Sequence, residues 1–304
     1  MISILIGGPT ASGKTALALE LAEKIDGEIV NADAMQVYRD LRILTARPSS
    51  AEEARAPHHL FGFLDGGERC SAGRWARAAA ECARDIARRG RAVIFAGGSG
   101  LYFRALVEGF ADIPDVPDEI REKAIGRRQE IGAAAFYDEV RTRDPAAASL
   151  HANDRQRLIR AWEVFEFTGR PLSEFQARPA RPLIPPPHAK LVLTPDRAEL
   201  YRRIERRLIS MAENGALEEV RALMARRLDS GLPVMKALGA PEFSAHLRGE
   251  IGLEQAIENA QLRTRHYAKR QLTWFRGQAA DWPVAESVDT GAARVMEQLA
   301  AYSD

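Results

Sequence analysis

The chain has 304 residues, of which 46% are hydrophobic, and a net charge of +1 at pH 7. This length allows a full α/β core with an appended module, and no run of 18 apolar residues predicts a membrane span. The near-neutral charge argues against non-specific coating of nucleic acid but allows a local basic surface. The two cysteines, Cys70 and Cys82, are too few for a disulfide framework and lack metal-ligand spacing. We therefore expect a cytoplasmic protein with reduced thiols and without a signal or transit peptide.

The first predicted strand, residues 2–6, leads into a glycine-rich loop and then into a helix with apolar residues at helical spacing. The loop fits G-x-x-x-x-G-K-[ST] without a mismatch over Gly8, Pro9, Thr10, Ala11, Ser12, Gly13, Lys14 and Thr15. In this context backbone N–H groups and a helix N-terminus surround an anion, Lys14 adds a point charge, and the Thr15 hydroxyl can hold Mg²⁺. The sequence therefore predicts a bound phosphate. It leaves open whether that phosphate belongs to a nucleotide such as ATP.

The next segments continue to alternate between strand and helix. "GEIVNAD" predicts a short strand that runs into Asp33, residues 58–64 form a candidate strand, and residues 71–90 predict a helix that Gly90 ends. "RAVIFAGGSGLY" (91–102) predicts a buried strand with a second glycine turn at 97–100. This order indicates a parallel sheet flanked by helices, and ligands of such sheets bind beyond the carboxyl ends of the strands. We therefore expect the glycine-rich loop, Asp33 and the second glycine turn to line one cleft.

The pattern changes from residue 112 onward. A Pro/Asp-rich entry precedes helical segments near 118–131, 132–141 and 153–168, and a stiff Pro-rich exit covers 177–188. Residues 189–195 then predict another buried strand, followed by helices at 196–228 and 254–276. The predicted fold is α/β: a P-loop NTPase-like core formed by 1–111 and 189–304, with a mostly helical insertion at 112–188.

Asp33 is the one carboxylate predicted at a strand end near the cleft. ATP-hydrolysing P-loop proteins usually carry an acidic residue after a second apolar strand, whereas "AVIFAGG" ends in glycines. Asp33 could serve as a metal ligand, as a catalytic base, or as the N-cap of a helix over "AMQVYRDL". The pattern alone leaves these three roles open.

Two arginine-rich segments are candidate surfaces for nucleic acid. Arg157 and Arg160 lie on one face of a predicted helix that begins near Asn153 and Asp154, and a solvated face is the alternative. "RTRHYAKRQLTWFR" (263–276) has five Lys/Arg and no acid. As a helix it places Arg265, Lys269 and Arg276 on one stripe, with Arg263 and Arg270 on another beside Tyr267 and Trp274. This pattern favours a nucleic-acid contact surface over a merely solvated face. His58 and His59 are predicted to be structural.

The motifs "GGPTASGKT", "NADAMQVYRDL", "TARP", "PHHL", "GGSGLYFRAL", "NDRQRLIRAWEVF" and "KRQLTWFR" occur in this order. Together they closely resemble the tRNA dimethylallyltransferases of the bacterial type, over nearly the whole chain. The resemblance implies transfer of the dimethylallyl group of dimethylallyl diphosphate to N6 of the adenosine 3′ of the anticodon, at tRNA position 37, with Mg²⁺. The loop would then hold a diphosphate leaving group, and no ATP hydrolysis would be needed.

The resemblance also implies roles for individual residues. Asp33 and Thr10 would be catalytic, residues 8–15 would bind the donor diphosphate, and Thr15 would bind the metal. The tRNA would be bound at its anticodon stem-loop. The residues that would contact it are Asp33, Ala34, Met35, Gln36, Ser99, Arg121, Gln156, Arg157, Leu158, Ile159, Arg160, Lys269, Arg270, Gln271, Thr273, Trp274 and Arg276.

The sequence departs from the family pattern at several positions. Ala34 replaces a common Ser, Ser99 replaces a Thr, Leu44 replaces a Gly, and "LGAPEF" with Gly239 and Ala240 replaces a Gly-Tyr segment. The last departure puts tRNA contacts at that segment in doubt. Two other functions compete with the transferase: a P-loop kinase of a small metabolite, and a non-catalytic RNA-binding protein with a nucleotide switch. The basic segment disfavours the kinase, and the intact cleft disfavours the pure binder. We expect a monomer without membrane contact.

Overall fold

A computed structural model describes residues 2–111, 113–177 and 180–302. Residue 112, where the predicted insertion begins, and residues 178 and 179 of its exit lie outside the described residues. The first part of the chain forms these elements: β1 Ser3–Gly7, α1 Lys14–Ile25, β2 Gly27–Asn31, α2 Ser50–Glu53, β3 His58–His59, α3 Ala72–Arg88, β4 Ala92–Ala96 and α4 Gly100–Val107.

The remaining elements include two short 3-10 helices, Pro145–Ser149 and Val234–Lys236. The others are α5 Asp118–Arg143, α6 Arg155–Thr168, α7 Leu172–Gln176, β5 His188–Leu193, α8 Arg197–Glu213, α9 Ala216–Ala225, α10 Ala240–Leu247, α11 Leu253–Gln278, β6 Val284–Ala285 and α12 Val288–Ala300.

The described strands form one six-stranded parallel sheet in the order β3-β2-β4-β1-β5-β6. Its central strands are buried and rich in Val, Ile and Leu, as strands covered on both faces must be. Because β2, β4 and β1 are neighbours, the segments that follow them meet at one edge of the sheet. This sheet with flanking helices confirms the predicted fold class.

The apolar face of α1 packs in the main core, where Leu17 and Leu21 lie beside β1 and β5 side chains such as Ile6 and Leu191. The same cluster includes α12, through Val295 and Leu299. Helix α1 ends at Asp26, whose left-handed φ of 49° breaks the helical path and turns the chain into β2. The core therefore fixes where the loop between β1 and α1 must lie.

Several predicted elements differ from the observed ones. Residues 34–40 contain turns and an isolated bridge at Tyr38 in place of the helix considered for "AMQVYRDL". The candidate strand at 58–64 shrinks to two residues, and the long helix at 196–228 breaks at Gly215, whose φ is 103°. Helices α10 and α12 were not predicted. Helix α5 joins two predicted helices across Gly132, whose φ of 82° is not helical.

The chain divides into two compact units. The first contains the residues up to Val107 and those from Leu183 onward, and it holds the whole sheet. The second, Glu108–Pro182, has its own apolar core around Phe136, Leu158 and Trp162. The boundaries predicted at 112 and 188 stay predictions. Among the described residues, no helix combines the length and apolar character that crossing a bilayer requires.

Candidate functional site

The glycine-rich loop occupies residues 8–13, between the end of β1 and the start of α1. Gly8, Ala11 and Gly13 have positive φ values of 148°, 62° and 103°. A Cβ atom at position 8 would lie 2.4 Å from the Leu193 carbonyl oxygen of β5, so only glycine fits there. This backbone, followed directly by the first turn of α1, is suited to hold an anion.

Three cationic side chains line the cleft beside this loop. Lys14 Nζ donates to the Pro9 carbonyl oxygen at 2.6 Å, and burial lowers the Lys14 pKa from 10.5 to about 8, with nearby Asp33 opposing the shift. Arg207 of α8 lies 3.5 Å from Thr10 Oγ1, and Arg203 donates to the Ser12 carbonyl at 3.4 Å. Burial also lowers the Arg207 pKa, again against the effect of Asp33. The cleft is therefore electropositive next to the loop.

The sequence analysis predicts an ordinary helix at 196–228 and does not place Arg203 and Arg207 of α8 in the site. Their spacing of four in "YRRIERRL" puts them on one helical face and could have served as a signal. That they face the glycine-rich loop depends on packing between segments about 190 residues apart in the chain.

Asp33 follows β2 at the same edge of the sheet and lines the cleft. Its N–H donates to Asn31 Oδ1 at 2.8 Å, and its own Oδ1 accepts from the Met35 N–H at 2.8 Å. Because residues 34–40 form turns, this is an Asx turn and the helix N-cap interpretation is wrong. Asp33 Oδ2 makes no hydrogen bond within the described part of the chain.

Gln36 and Ser99 tie the Asp33 turn to two neighbouring segments. Gln36 Nε2 donates to the carbonyl oxygens of Thr45 and Ala46, at 3.0 and 2.7 Å. The Ala34 N–H donates to Ser99 Oγ at 2.9 Å, which links the turn to the second glycine turn. The hydroxyl of Ser99 thus already supports the backbone that carries Asp33.

The cleft has a volume of about 430 Å³. Its polar lining includes the glycine-rich loop, Thr15, Asp33, Gln36, Thr45, Arg47, Glu52 and His58. Its apolar lining comes from Ala18, Ile29, Ala46, Pro48, Phe61 and Ala96. His58 Nδ1 donates to the Ala56 carbonyl oxygen at 2.8 Å, and burial lowers the His58 pKa, which favours the neutral ring. A ligand with a charged phosphate end and a small hydrocarbon end matches these walls.

Helix α11 packs against both glycine segments. Gln271 Oε1 accepts from the Thr10 N–H and Gln271 Nε2 donates to the Gly98 carbonyl oxygen, each at 2.9 Å. A Cβ atom at position 98 would lie 2.0 Å from Gln271 Nε2, and one at position 100 would lie 2.0 Å from the Trp274 ring. The predicted tRNA residue Gln271 is therefore buried, with both ends of its amide engaged inside the chain.

The opposite side of α11 is exposed and basic. We call it the outer face; its residues are Lys269, Arg270, Thr273 and Arg276. Within the described residues none of its three cations has an ion pair, and the Arg270 guanidinium lies 5.6 Å from the centre of the Tyr267 ring. The other two arginines of the predicted stripes are engaged: Arg263 pairs with Glu242, and Arg265 with Glu205 at 2.8 Å.

The candidate tRNA residues of the second unit lie on α5 and α6. Asp154 caps α6 and pairs with Arg157, while buried Glu163 accepts from Arg160 at 2.7 Å and from Arg121 at 3.1 Å. Gln156 is exposed, whereas the side chains of Leu158 and Ile159 are buried in the core of this unit. Among the candidate residues on α6, only Gln156, Arg157 and Arg160 are therefore accessible to a partner.

Three of the residues that depart from the family pattern lie at or beside the start of α10. Gly239, at a φ of 89°, precedes α10, and Ala240 begins that helix and is buried. Leu44 packs against Gly239. These residues form packing contacts within the first unit.

The chain is similar to known proteins over most of its length. A family model described as IPP transferase matches residues 36–278. A tRNA dimethylallyltransferase of Phenylobacterium zucineum is 58% identical, with 92% of this chain and 91% of that protein covered. One of Nitrobacter hamburgensis is 51% identical, covering 92% and 89%.

Two solved structures are similar. The tRNA isopentenylpyrophosphate transferase of Bacillus halodurans is 32% identical, with a TM-score of 0.68 and 99% of each chain covered. A eukaryotic dimethylallyltransferase described as acting on tRNA is 30% identical, with a TM-score of 0.76, and the match covers 90% of this chain and 69% of that one.

Proposed function

This chain belongs to the family of tRNA dimethylallyltransferases, and from that premise we propose its reaction. It transfers the dimethylallyl group of dimethylallyl diphosphate to N6 of the adenosine 3′ of the anticodon, position 37, and forms N6-isopentenyladenosine and diphosphate. The observation that carries the proposal is the cleft, whose lining combines a glycine-rich loop, cationic side chains, a carboxylate and small apolar side chains.

The donor would bind with its diphosphate on the glycine-rich loop. The backbone N–H groups of Ala11 and Gly13, together with Lys14, would neutralise the leaving group. Arg207 would add a further positive charge, and the Thr10 hydroxyl next to it can donate a hydrogen bond to the diphosphate. The five-carbon chain would lie against the apolar wall of Ile29, Phe61 and Ala96. These contacts strengthen as negative charge develops on the departing oxygen, so they favour the transition state.

Asp33 would act on the acceptor. The exocyclic adenine amine is a poor nucleophile because its lone pair is delocalised into the ring. As N6 attacks the allylic carbon, the bond from that carbon to the diphosphate oxygen breaks, and one N6 proton passes to the Asp33 carboxylate. The Asx turn uses only Oδ1, which leaves Oδ2 to accept that proton.

The residues present fit Mg²⁺ held through the substrate. No group of three or more His, Cys, Asp or Glu side chains in the described residues could form a metal cage. Mg²⁺ commonly binds through one or two protein oxygens together with substrate phosphates. Thr15 lines the cleft, and nearby Ser12 Oγ is buried without a hydrogen-bond partner. Thr15 would hold the ion, which when bound supplies further charge neutralisation to the leaving group.

The tRNA would be held by the outer face of α11 and by the exposed polar residues of α6, with Trp274 and the Asp33 turn (Ala34, Met35, Gln36) near the target base. The adenosine must leave its stack to reach the cleft, as for other enzymes that act on a base. Unpaired anticodon-loop adenosines should therefore be preferred over adenosines in a duplex. We propose that the protein works as a cytoplasmic monomer.

One assay tests the proposal. The protein is incubated with unmodified tRNA, dimethylallyl diphosphate and Mg²⁺, and the RNA is digested and analysed by mass spectrometry. We expect the mass of one dimethylallyl group on one adenosine, at position 37. Addition to duplex and loop adenosines alike would contradict the site, and absence of transfer would contradict the reaction.

The small-metabolite kinase is not favoured, because the matched relatives are transferases that carry the name of the tRNA reaction. A parallel incubation with ATP in place of the donor separates the two functions. A kinase would consume ATP when a phosphate acceptor is added and would leave the tRNA mass unchanged.

A further inference from the structure

Gln271 is placed where one side chain touches two catalytic segments. It accepts from the Thr10 N–H in the glycine-rich loop and donates to the Gly98 carbonyl oxygen in the second glycine turn, each over 2.9 Å. These segments follow the neighbouring strands β1 and β4. The amide group of Gln271 therefore bridges the ends of two strands that carry different parts of the cleft.

The fit around this amide is tight. Gln271 is 5% exposed, and position 98 has no room for a Cβ atom because Gln271 Nε2 would lie 2.0 Å away. Trp274 and Phe275 pack equally closely over Gly100 and Gly7. A small displacement of α11 must therefore move the two segments or break these hydrogen bonds, since packed interiors do not deform continuously.

The outer face of α11 lies on the opposite side of the same rigid helix, and Arg270 immediately precedes Gln271. The three unpaired cations of the outer face are a suitable docking surface for RNA phosphates. A helix that is held by RNA on one side will restrict the amide on its other side. Gln271 thus connects the helix that carries the outer face directly to the Thr10 N–H.

We propose that Gln271 is a positioning residue that couples tRNA binding to diphosphate binding. With RNA on the outer face, Gln271 holds the Thr10 N–H and the Gly98 carbonyl so that the glycine-rich loop is preorganised for its anion. Each ligand then raises the affinity for the other by the same factor, as thermodynamic linkage requires. This inference rests on the proposed function, because it takes the outer face as the tRNA contact and the loop as the diphosphate site.

The test measures the coupling factor directly. Isothermal titration calorimetry gives the Kd of inorganic pyrophosphate, in the presence of Mg²⁺, with and without a saturating unmodified anticodon stem-loop RNA. For the wild-type chain we expect the RNA to tighten pyrophosphate binding about fivefold or more, within the usual range of allosteric coupling. The reciprocal titration of RNA should give the same factor. A wild-type factor of one overturns the proposal.

Two variants assign the coupling to the amide. Gln271→Met keeps the length of the side chain and removes both hydrogen bonds, so each ligand should still bind alone while the coupling factor falls towards one. Gln271→Glu keeps an acceptor for Thr10 but cannot donate to Gly98 while ionised, and should lose part of the factor. Gln255→Met, at an exposed position on the same helix, is the matched control and should leave the factor unchanged.

Wild-type coupling that persists in folded Gln271→Met overturns the proposal. Should both variants fail to fold, hydrogen exchange of the Thr10 amide in the wild-type chain decides: slowing on addition of the RNA supports coupling, and an unchanged rate contradicts it. The transfer assay is run beside these measurements. Transfer without coupling contradicts only the proposed role of Gln271. Absence of transfer by the wild-type chain contradicts the proposed reaction.

Discussion

The two sides of α11 differ in almost every physical respect. On its inner side Gln271 and Phe275 are buried and Trp274 is partly buried, and these side chains fill the space above Gly98, Gly7 and Gly100. Its outer face is exposed, and its three cations have no ion pair in the described chain. The same helix therefore supports the glycine-rich loop and the second glycine turn on one side and presents a charged surface on the other. We therefore expect substitutions in the cleft to alter donor binding and the rate of transfer. Substitutions on the outer face should alter the binding of RNA.

The largest expected effect is on the cleft side, at Asp33. The Asx turn makes Asp33→Asn a sharp test, because an amide oxygen can still accept from the Met35 N–H while the general base is lost. We expect the melting temperature to stay near that of the wild-type chain and the single-turnover rate to fall about 10²–10⁴-fold, the usual range for a positioned base.

Asp33→Ala completes that test. It removes the turn hydrogen bond as well, so it should lose a comparable rate and, in addition, about 0.5–1.5 kcal/mol of unfolding free energy. Near-normal turnover in folded Asp33→Asn would remove this carboxylate from the mechanism and leave it a structural residue.

The next effect concerns Lys14, which we propose binds the donor diphosphate and not the tRNA. Lys14→Ala should weaken diphosphate binding by about 1.5–3 kcal/mol, the range for a hydrogen bond to a charged group, with little change in tRNA affinity. Calorimetry with pyrophosphate and a separate RNA-binding titration measure the two quantities. Lys24→Ala, at the exposed end of the same helix, is the control. Loss of RNA affinity with unchanged pyrophosphate binding would contradict the assignment of Lys14 to the donor and of RNA binding to the outer face of α11.

The outer face should respond in the opposite way. Lys269→Gln combined with Arg270→Gln should weaken binding of every tRNA and reduce the salt slope by about 0.7–0.9 per lost phosphate contact, without a change in donor affinity. The matched comparison is Arg157→Gln with Arg160→Gln on α6, where Asp154 and Glu163 already neutralise the arginines. We expect a smaller change in slope for that pair. Equal slopes for both pairs would mean that existing ion pairs do not limit phosphate contact.

The smallest expected effect is a pH dependence. With a Lys14 pKa of about 8, the protonated fraction falls about threefold between pH 7.5 and 8.5, and the donor KM should rise by a similar factor. Stability should respond with the opposite sign. Between pH 8 and 10.5 the unfolded chain binds the extra proton, so Lys14 makes the ligand-free protein more stable as the pH rises. Lys14→Met should abolish both trends, and their persistence would assign them to another group.

The sequence predicted the parts of the fold that are encoded locally. The loop between β1 and α1, the turn after β2 and the glycines after β4 each carry their own signal, and parallel pairing brings them to one edge. The roles of Arg207 and Gln271 were not predictable in the same way, because each depends on packing against Thr10 from about 200 or more residues away. The charge pattern of "RTRHYAKRQLTWFR" indicated a basic helix but could not show that Glu205 and Glu242 would neutralise its first two arginines.

Helix α12 illustrates a different limit. Its apolar positions were present in the sequence, yet only the apolar surface that β5 and α1 form together gives Val295 and Leu299 a surface to cover. A segment whose own residues give a weak helix signal can still form a helix when it packs on the core, because tertiary context overrides local propensity.

The Thr10–Gln271 hydrogen bond spans 261 positions of the chain, and β1 pairs with β5, which begins 185 positions after it. The ribosome synthesises these paired segments at widely separated times. At about 5–20 residues per second, the glycine-rich loop would wait roughly 13–50 seconds before α11 is synthesised. Until β5 is synthesised, β1 can pair with β4 but its other edge stays open, and open strand edges are sites of misassembly. We therefore expect translation speed and chaperone access, rather than the stability of the finished protein, to limit how much active enzyme a cell obtains.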